Sequence, residues 1–468
     1  MVFSTSSFLF LFLPATVIGY FLTHLICEKL TNAYLFIVSL VFYCWNGTSH
    51  VMVLLFSIIS NYTFALLIQH SIRNRWRRIF LLSALCVDLG LLGYYKYSGF
   101  LLSNYSLLVH RSISIPQIAL PIGISFYTFQ AMSYVIDVYK GAGAIRNPID
   151  LGMYITFFPQ LIAGPIVRYG EIKNYFYNRH ISLNDCTDGA LRFLTGLCKK
   201  VILANNLGAL ADIVFNGKGL SDFSVLMLWL AAIAFMLQLY YDFSGYSDMA
   251  IGLGLLFGFR FPENFNYPYA ASSVTDFWRR WHRTLSGWFR DYVYIPLGGS
   301  RGGASRHVLN LFIVWILTGF WHGAAWQFLF WGLFYFILLT VEKYMIRPEQ
   351  MLSPACRMLY RIWTLLNVCI LWVVFRSSSL FAALRMLSAM FCFEENPLFN
   401  ASALFYLREY SFYLITGTLL SFPVFPFLRK KYPSFYIVFQ SALLLIGTFV
   451  SISFIIKDAY NPFLYFQF

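Results

Sequence analysis

Val51-Met52-Val53-Leu54-Leu55-Phe56-Ser57-Ile58-Ile59-Ser60-Asn61-Tyr62-Thr63-Phe64-Ala65-Leu66-Leu67-Ile68 is a long apolar run without a charged residue. About 20 such residues wound into a helix cross the hydrocarbon core of a bilayer. Phe8 to Ile26 and Val438 to Ile456 are runs of the same kind. The rest of the chain extends the pattern. Of 468 residues, 59% are hydrophobic, 20% are aromatic and only 12% are charged, against roughly 25% charged in ordinary soluble domains. So apolar a chain has more greasy surface than a globule can hide, which excludes a soluble fold and makes this a polytopic, all-α integral membrane protein.

Apolar segments fall near 6–26, 33–46, 50–70, 79–97, 117–137, 151–168, 222–241, 243–258, 307–322, 324–342, 361–376, 409–427 and 435–456. Glycines, prolines and polar residues interrupt those near 117–137, 151–168 and 243–258. Broken backbone is tolerated at membrane depth only inside protein or beside water, so the middle third is expected to hold re-entrant or interfacial pieces. The polar connections are short, and one membrane domain is expected over 1–468, with its core near 117–342. The uncharged start, Met1 to Ser7, with no small-residue cleavage site after the first run, reads as a retained helix. The eight cysteines show no C-x-x-C or Cys/His pair at metal spacing, so no metal site is expected.

Charge is scarce and lopsided, with 34 Lys and Arg against 20 Asp and Glu. Partners chosen by charge are then lipid headgroups or phosphorylated donors, and nucleic acid is not among them. Arg73, Arg75, Arg77 and Arg78, and again Arg429, Lys430 and Lys431, mark loops expected on the cytoplasmic side.

Chemistry is expected where ionisable groups enter the apolar runs, because placing them there is costly. In Thr318-Gly319-Phe320-Trp321-His322-Gly323-Ala324-Ala325-Trp326, a histidine stands between small residues and tryptophans. Histidine exchanges a proton near neutral pH, as a general base on a hydroxyl must. The competing reading is a core histidine satisfied by a backbone carbonyl. Ser273-Val274-Thr275-Asp276-Phe277-Trp278-Arg279-Arg280-Trp281-His282-Arg283-Thr284-Leu285-Ser286-Gly287-Trp288-Phe289-Arg290 opens on a helix-capping signal, Ser273 with Asp276. Read as one interfacial helix, it puts Trp278, His282, Leu285 and Phe289 on one face and Arg279, Arg283, Ser286 and Arg290 on the next. That basic face either binds lipid headgroups only or also holds the phosphates of an anionic donor, with Arg301 of the Leu297–Gly303 loop and Lys199-Lys200 as further candidates. Gln238, Tyr240, Tyr241, Asp242, Ser244, Tyr246, Ser247 and Asp248 form a polar cluster within apolar runs, read either as the wall of a polar tunnel or as a network tying helices together. The chain closes on Asn461-Pro462-Phe463-Leu464-Tyr465-Phe466-Gln467-Phe468, an aromatic tail over 461–468.

With those residues in view, the chain closely resembles the membrane-bound O-acyltransferase family, in particular its bacterial branch that O-acetylates alginate, related exopolysaccharides and peptidoglycan. The resemblance runs nearly end to end. It is densest in Leu120-Pro121-Ile122-Gly123-Ile124-Ser125-Phe126-Tyr127, Leu161-Ile162-Ala163-Gly164-Pro165, Tyr241 to Gly252, Asn264-Phe265-Asn266, Phe277 to His282 and Trp321-His322-Gly323. It implies a multi-helix core around a tunnel that meets an acyl donor from the cytoplasm and an acceptor from the other side of the bacterial inner membrane. By it, His322 matches the catalytic histidine and His282 the second active-site position, elsewhere an Asn or His. His322 would then act as base and His282 would position or polarise a thioester. Acetyl-CoA is the implied donor, met by Arg279, Arg283 and Arg301, and an SGNH-type acetyltransferase outside the membrane is an implied partner. Gln238, Tyr241, Asp242, Ser244, Tyr246, Ser247, Asp248 and Trp321 would line the tunnel. The tail is similar to the aromatic C-terminal motif of small partner peptides in teichoic-acid D-alanylation, which makes Tyr465 an expected acyl relay. Two other readings stand beside acetyl transfer: transfer of D-alanyl or another acyl group, and a proton-coupled transporter built on His322, Asp242 and Asp248.

Overall fold

The computed structural model describes residues 1–45, 47–116, 118–217, 219–391, 396–457 and 460–462. Among them every regular element is a helix. Eight helices are long and apolar enough to cross a membrane, or nine if the bent pair Ser411–Leu420 and Val424–Lys431 makes one span. The chain is a multi-pass membrane protein. It packs as two compact units interleaved in sequence: Met1–Phe193 with Ser247–Glu263 and Gly287–Tyr292, and Leu194–Tyr246 with Asn264–Ser286 and Val293–Phe468.

The first unit contains the spans Phe8–Ile26, Val51–His70 and Asn74–Leu108. Its core is aromatic: the rings of Phe3, Phe8, Phe12, Phe42 and Phe158 meet at centroid distances such as 4.8, 5.5 and 5.4 Å. Polar side chains tie its helices where water is absent. Asn61 donates to the Asp88 carboxylate at 2.8 Å, and Asn32 donates to Asp150 at 2.8 Å. Gly123, with φ +73°, turns the chain into helix Ile124–Tyr139, as glycine does more readily than any other residue. The segment near 151–168 is broken, as expected. Pro148–Thr156 and the short turn Phe158–Leu161 are separate helices, and Pro159 opens the second in the first-turn position that proline tolerates.

The second unit is organised around most of the 32-residue helix Val225–Leu256. The sequence reading had placed a break there, between 222–241 and 243–258; the helix is continuous. Gly245 within it serves a contact, since a Cβ there would stand 2.8 Å from the Gly196 carbonyl oxygen. Helices Gly303–His322 and Trp326–Val341 form a tight antiparallel pair. At Gly332 a Cβ would meet the Trp315 carbonyl oxygen at 2.4 Å, and at Gly319 it would meet the Phe328 carbonyl oxygen at 2.4 Å. Small residues let membrane helices approach to backbone contact, where dispersion does the work that the hydrophobic effect does in water.

Replacing Gly332 by Val is therefore expected to lower the thermal midpoint of the detergent-solubilised protein, at a cost of about 1–3 kcal/mol or more from overpacking. Gly90→Ala, in a helix where nothing lies within 4 Å of the added carbon, is the control and should leave the midpoint unchanged or raise it.

Candidate active site

His322 is the last residue of helix Gly303–His322, and Gly323 ends it in extended backbone. The histidine ring is half-buried among the edges and faces of Trp321, Trp331 and Phe375, with centroids at 5.0, 5.2 and 5.2 Å. Gly323 is needed for this enclosure, because a Cβ there would overlap the Phe328 ring at 2.1 Å.

His282 belongs to the same unit but is built differently from the sequence expectation. The single interfacial helix through 273–290 is interrupted: Val274–Arg280 is one helix and Arg283–Phe289 another. Between them His282 adopts φ +42°, the left-handed region that residues other than glycine occupy only a few per cent of the time and that costs of order 1–3 kcal/mol. The break exists because the strand-like segment Asn264–Asn266 runs alongside and takes the backbone bonds that a helix would have used. Asn266 N–H donates to the Arg280 carbonyl at 3.0 Å and Arg283 N–H to the Asn264 carbonyl at 2.9 Å. His282 therefore leaves the helical face it was expected to share with Trp278 and turns inward, where it is 1% exposed. Its ring stands edge-on to Phe243 at 4.6 Å and 6.2 Å from Trp321. Burial holds its pKa well below the usual histidine value, and the neighbouring His322 lowers it further. The ring is thus a neutral imidazole.

Two further residues, which the sequence reading did not single out for this site, fix its frame. Asn264 Oδ1 accepts from His282 Nδ1 at 3.1 Å and from the Thr284 hydroxyl and N–H at 2.9 and 3.3 Å. Glu342 accepts from Val274 N–H at 2.7 Å and Thr275 N–H at 2.8 Å, while the Tyr360 hydroxyl donates to it at 2.7 Å. That carboxylate caps the helix leading to His282, beside the expected Ser273 cap on Asp276 N–H. Asn264 lay in a quoted motif with no role attached; nothing local to Glu342 announces its long-range partners.

All eight expected tunnel residues are buried. Asp242 and Asp248 lie six residues apart on one helix, so at 100° per residue they face different ways. In the second unit, Asp242 pairs with Lys200 at 2.7 Å, both side chains 2% exposed, and the Tyr241 hydroxyl donates to the Gly417 carbonyl at 2.6 Å. In the first unit, Asp248 pairs with Arg192 at 2.6 Å, and Arg192 also reaches Glu263. Lys200 is consequently committed inside the protein and is not placed to meet donor phosphates. It sits in the π-helical turn Lys199–Ala204, a local widening often found at functional positions. The same lysine donates to the Pro462 carbonyl, Asn205 donates to Asn461 at 3.3 Å, and the Tyr460 hydroxyl donates to Asp212, itself paired with Arg376 at 2.9 Å. The last described residues are thus held by Lys200, Asn205 and Asp212. Tyr465 and the remainder of the tail, 463–468, lie outside the described residues.

Arg279, Arg283 and Arg301 are exposed, as side chains that meet an anion from water would be. In the Gly-rich loop, Gly298, Gly299 and Gly303 have positive φ, and both its N–H groups and its carbonyls are engaged: Gly298 N–H donates to the Ile295 carbonyl and Gly299 N–H to the Tyr294 carbonyl, each at 2.9 Å, while Asn310 donates to the Gly299 carbonyl at 2.9 Å and Arg306 to that of Leu297 at 3.2 Å.

The multi-pass helical fold agrees with the comparisons. The profile of the MBOAT, membrane-bound O-acyltransferase family matches residues 145–388. A protein named "Probable alginate O-acetylase AlgI" from Pseudomonas aeruginosa is 42% identical over 401 residues, covering 84% of this chain and 75% of that protein. Its namesake from Pseudomonas putida is 38% identical over 496 aligned positions, covering 100% of both. The "Peptidoglycan O-acetyltransferase" of Helicobacter pylori is 35% identical over 421 residues, 83% of this chain and 80% of that one. The chain belongs to the membrane-bound O-acyltransferase family and is an acyltransferase, which displaces the transporter reading.

Removing one partner of the buried Lys200–Asp242 pair leaves a lone charge and is expected to destabilise the protein by about 3–5 kcal/mol. Lys200→Met should show this as a lower thermal midpoint in detergent. Lys200→Met combined with Asp242→Leu should recover much of the loss.

Proposed function

We propose that this acyltransferase moves an acetyl group from a thioester donor, acetyl-CoA, met at the cytoplasmic face of the bacterial inner membrane, to a hydroxyl of an extracytoplasmic polysaccharide. The observation that carries the reading is that half-buried His322 and buried His282 both border Trp321 within one unit, in a chain whose long alignments are to proteins named as alginate and peptidoglycan O-acetylating enzymes. In the reaction His322 takes the proton of the accepting hydroxyl. The oxygen bonds to the acetyl carbon, the carbon–sulfur bond breaks, and the departing thiolate recovers the proton from His322. Arg279, Arg283 and Arg301, exposed and cationic, meet the donor phosphates. Gln238, Tyr241, Asp242, Ser244, Tyr246, Ser247, Asp248 and Trp321 supply the polar lining that a hydrophilic substrate needs inside an apolar protein.

D-alanyl transfer is the second reading. The "Teichoic acid D-alanyltransferase" of Bacillus subtilis aligns at 30% identity, but over only 48% of this chain, so acetyl transfer has the broader support. The acceptor is an alginate-like polysaccharide or peptidoglycan, delivered to with the help of an SGNH-type acetyltransferase. The docking of Tyr460, Asn461 and Pro462 on buried groups supports a tail that belongs to the working protein, with Tyr465 as an intermediate acetyl carrier.

His322→Ala should leave the protein in the membrane and abolish polysaccharide acetylation; normal ester content in that strain would rule out the base role. Tyr465→Phe keeps the ring and removes the nucleophile. Acetylation should fall at least tenfold, and an unchanged level would reject the relay.

A further inference from the structure

Around Arg77 and Tyr139, in the first unit, charge is sorted by depth. The carboxylates are committed to partners within the unit. Buried Asp150 accepts from Asn32 at 2.8 Å and from the Tyr177 hydroxyl at 2.7 Å, Asp137 accepts from the Tyr292 hydroxyl at 2.9 Å, and Asp291 is paired with Arg168 and Arg290. The cations are left outside. Arg73, Arg75, Arg78, Lys140 and Arg146 are exposed, and among the described residues none of them pairs with a carboxylate.

These cations come from two segments that the fold binds into one face. Arg77 donates to the Tyr139 carbonyl at 2.7 Å, across 62 residues of chain, and lies over the Tyr139 ring at 5.3 Å. That carbonyl ends helix Ile124–Tyr139, where a cation is favourable. The Tyr62 hydroxyl donates to the Arg146 carbonyl at 2.7 Å, and Gln69 accepts from Ala144 N–H. Lys140 stands over the Tyr292 ring at 4.9 Å, a cation–π contact that holds the ammonium without neutralising it. Each of these bonds fixes a segment and leaves its charge uncompensated. The arginines at the start of helix Asn74–Leu92 also oppose its dipole, so the helix itself gains nothing from them. The same segment exposes apolar side chains: Ile72 is 98% exposed and Trp76 50%, with Trp76 stacked on Phe80 at 5.9 Å. Water penalises such exposure, whereas the boundary of a bilayer accommodates both the rings and the arginine heads.

We propose that this face is a binding site for acidic phospholipid: Arg73, Arg75, Arg78, Lys140 and Arg146 hold the headgroup phosphates, while Ile72 and Trp76 enter the acyl boundary beside them. Charge complementarity selects the phosphate, whose oxygens match the guanidinium fork. The exposed isoleucine and tryptophan select a lipid, because a soluble phosphorylated molecule would leave them in water. Basic clusters set directly against a membrane span are where acidic leaflets bind. The arginine loop is the one expected on the cytoplasmic side, so the lipid belongs to the inner leaflet. The site stands apart from the acetyl-transfer reading, since its residues belong to the first unit and both candidate histidines to the second.

Native mass spectrometry of the full-length protein in a neutral detergent, titrated with dioleoyl phosphatidylglycerol or dioleoyl phosphatidylcholine, tests the site. The acidic lipid should bind more tightly than the zwitterionic one, and the preference should shrink as salt screens the charges. Each cation beside an acidic lipid contributes about fivefold in affinity, so the combined Arg73→Gln, Arg75→Gln and Arg78→Gln protein should bind phosphatidylglycerol roughly a hundredfold more weakly. Lys140→Gln with Arg146→Gln, which alters the other segment, should weaken it about 25-fold. Phosphatidylcholine binding should be unchanged in both. The charge-keeping protein with lysine at 73, 75 and 78 should retain most of the phosphatidylglycerol affinity, which separates lost charge from a folding defect. Equal affinity of the unaltered protein for the two lipids, or phosphatidylglycerol binding that survives both sets of glutamine substitutions, would overturn the proposal. Coenzyme A is the third titrant. If the triple glutamine protein loses coenzyme A binding and keeps phosphatidylglycerol, the face belongs to a soluble phosphorylated molecule and the lipid site is overturned.

Discussion

Charges and hydrogen-bonding groups buried in so apolar a chain are costly unless answered from within the protein, and this constraint fixes how its helices are held. Lys200 and Asp242 answer each other, each 2% exposed. Glu342, also 2% exposed, is satisfied by two helix N–H groups and a tyrosine hydroxyl. Such groups contribute little net stability, since desolvation consumes most of the Coulombic gain. Their effect is geometric, because each has few acceptable arrangements and so holds its helix in one position.

His282 shows what that rigidity serves. A left-handed backbone at a histidine, a buried ring and a ring nitrogen with no hydrogen-bond partner among the described residues are each unfavourable, and they persist because Asn264, Thr284 and the capped helix before them leave no alternative. A left-handed backbone at a buried histidine marks a site where reactivity is maintained at the expense of stability. His322 is held by the opposite means. Glycines at 319, 323 and 332 let two helices and an aromatic cage close around it.

Much of this was legible in the sequence because the signals were local. Apolar runs such as Val51 to Ile68 declare membrane helices, and an isolated histidine in Trp321-His322-Gly323 declares a group that must be there for a reason. What could not be read were contacts between distant residues. Helical periodicity placed His282 on a face with Trp278, whereas bonds from Asn264 and Asn266, some sixteen residues earlier, break the helix at that point. Gly245 looked like an interruption because a glycine's local cost is visible in sequence and the packing that repays it is not. Lys200 read as a surface cation for the same reason: its charge is written in the sequence, but its buried partner Asp242 is 42 positions away.

The central claim is that the histidine-bearing protein itself passes an acetyl group through the membrane. It is tested most directly in sealed proteoliposomes of one orientation, with radiolabelled acetyl-CoA outside and an alginate or peptidoglycan oligosaccharide trapped within. Label appearing as an ester on the trapped oligosaccharide, and absent when His322 is alanine, is the result this account predicts. Label that stays with the donor, or that reaches the trapped acceptor equally well without His322, would contradict it.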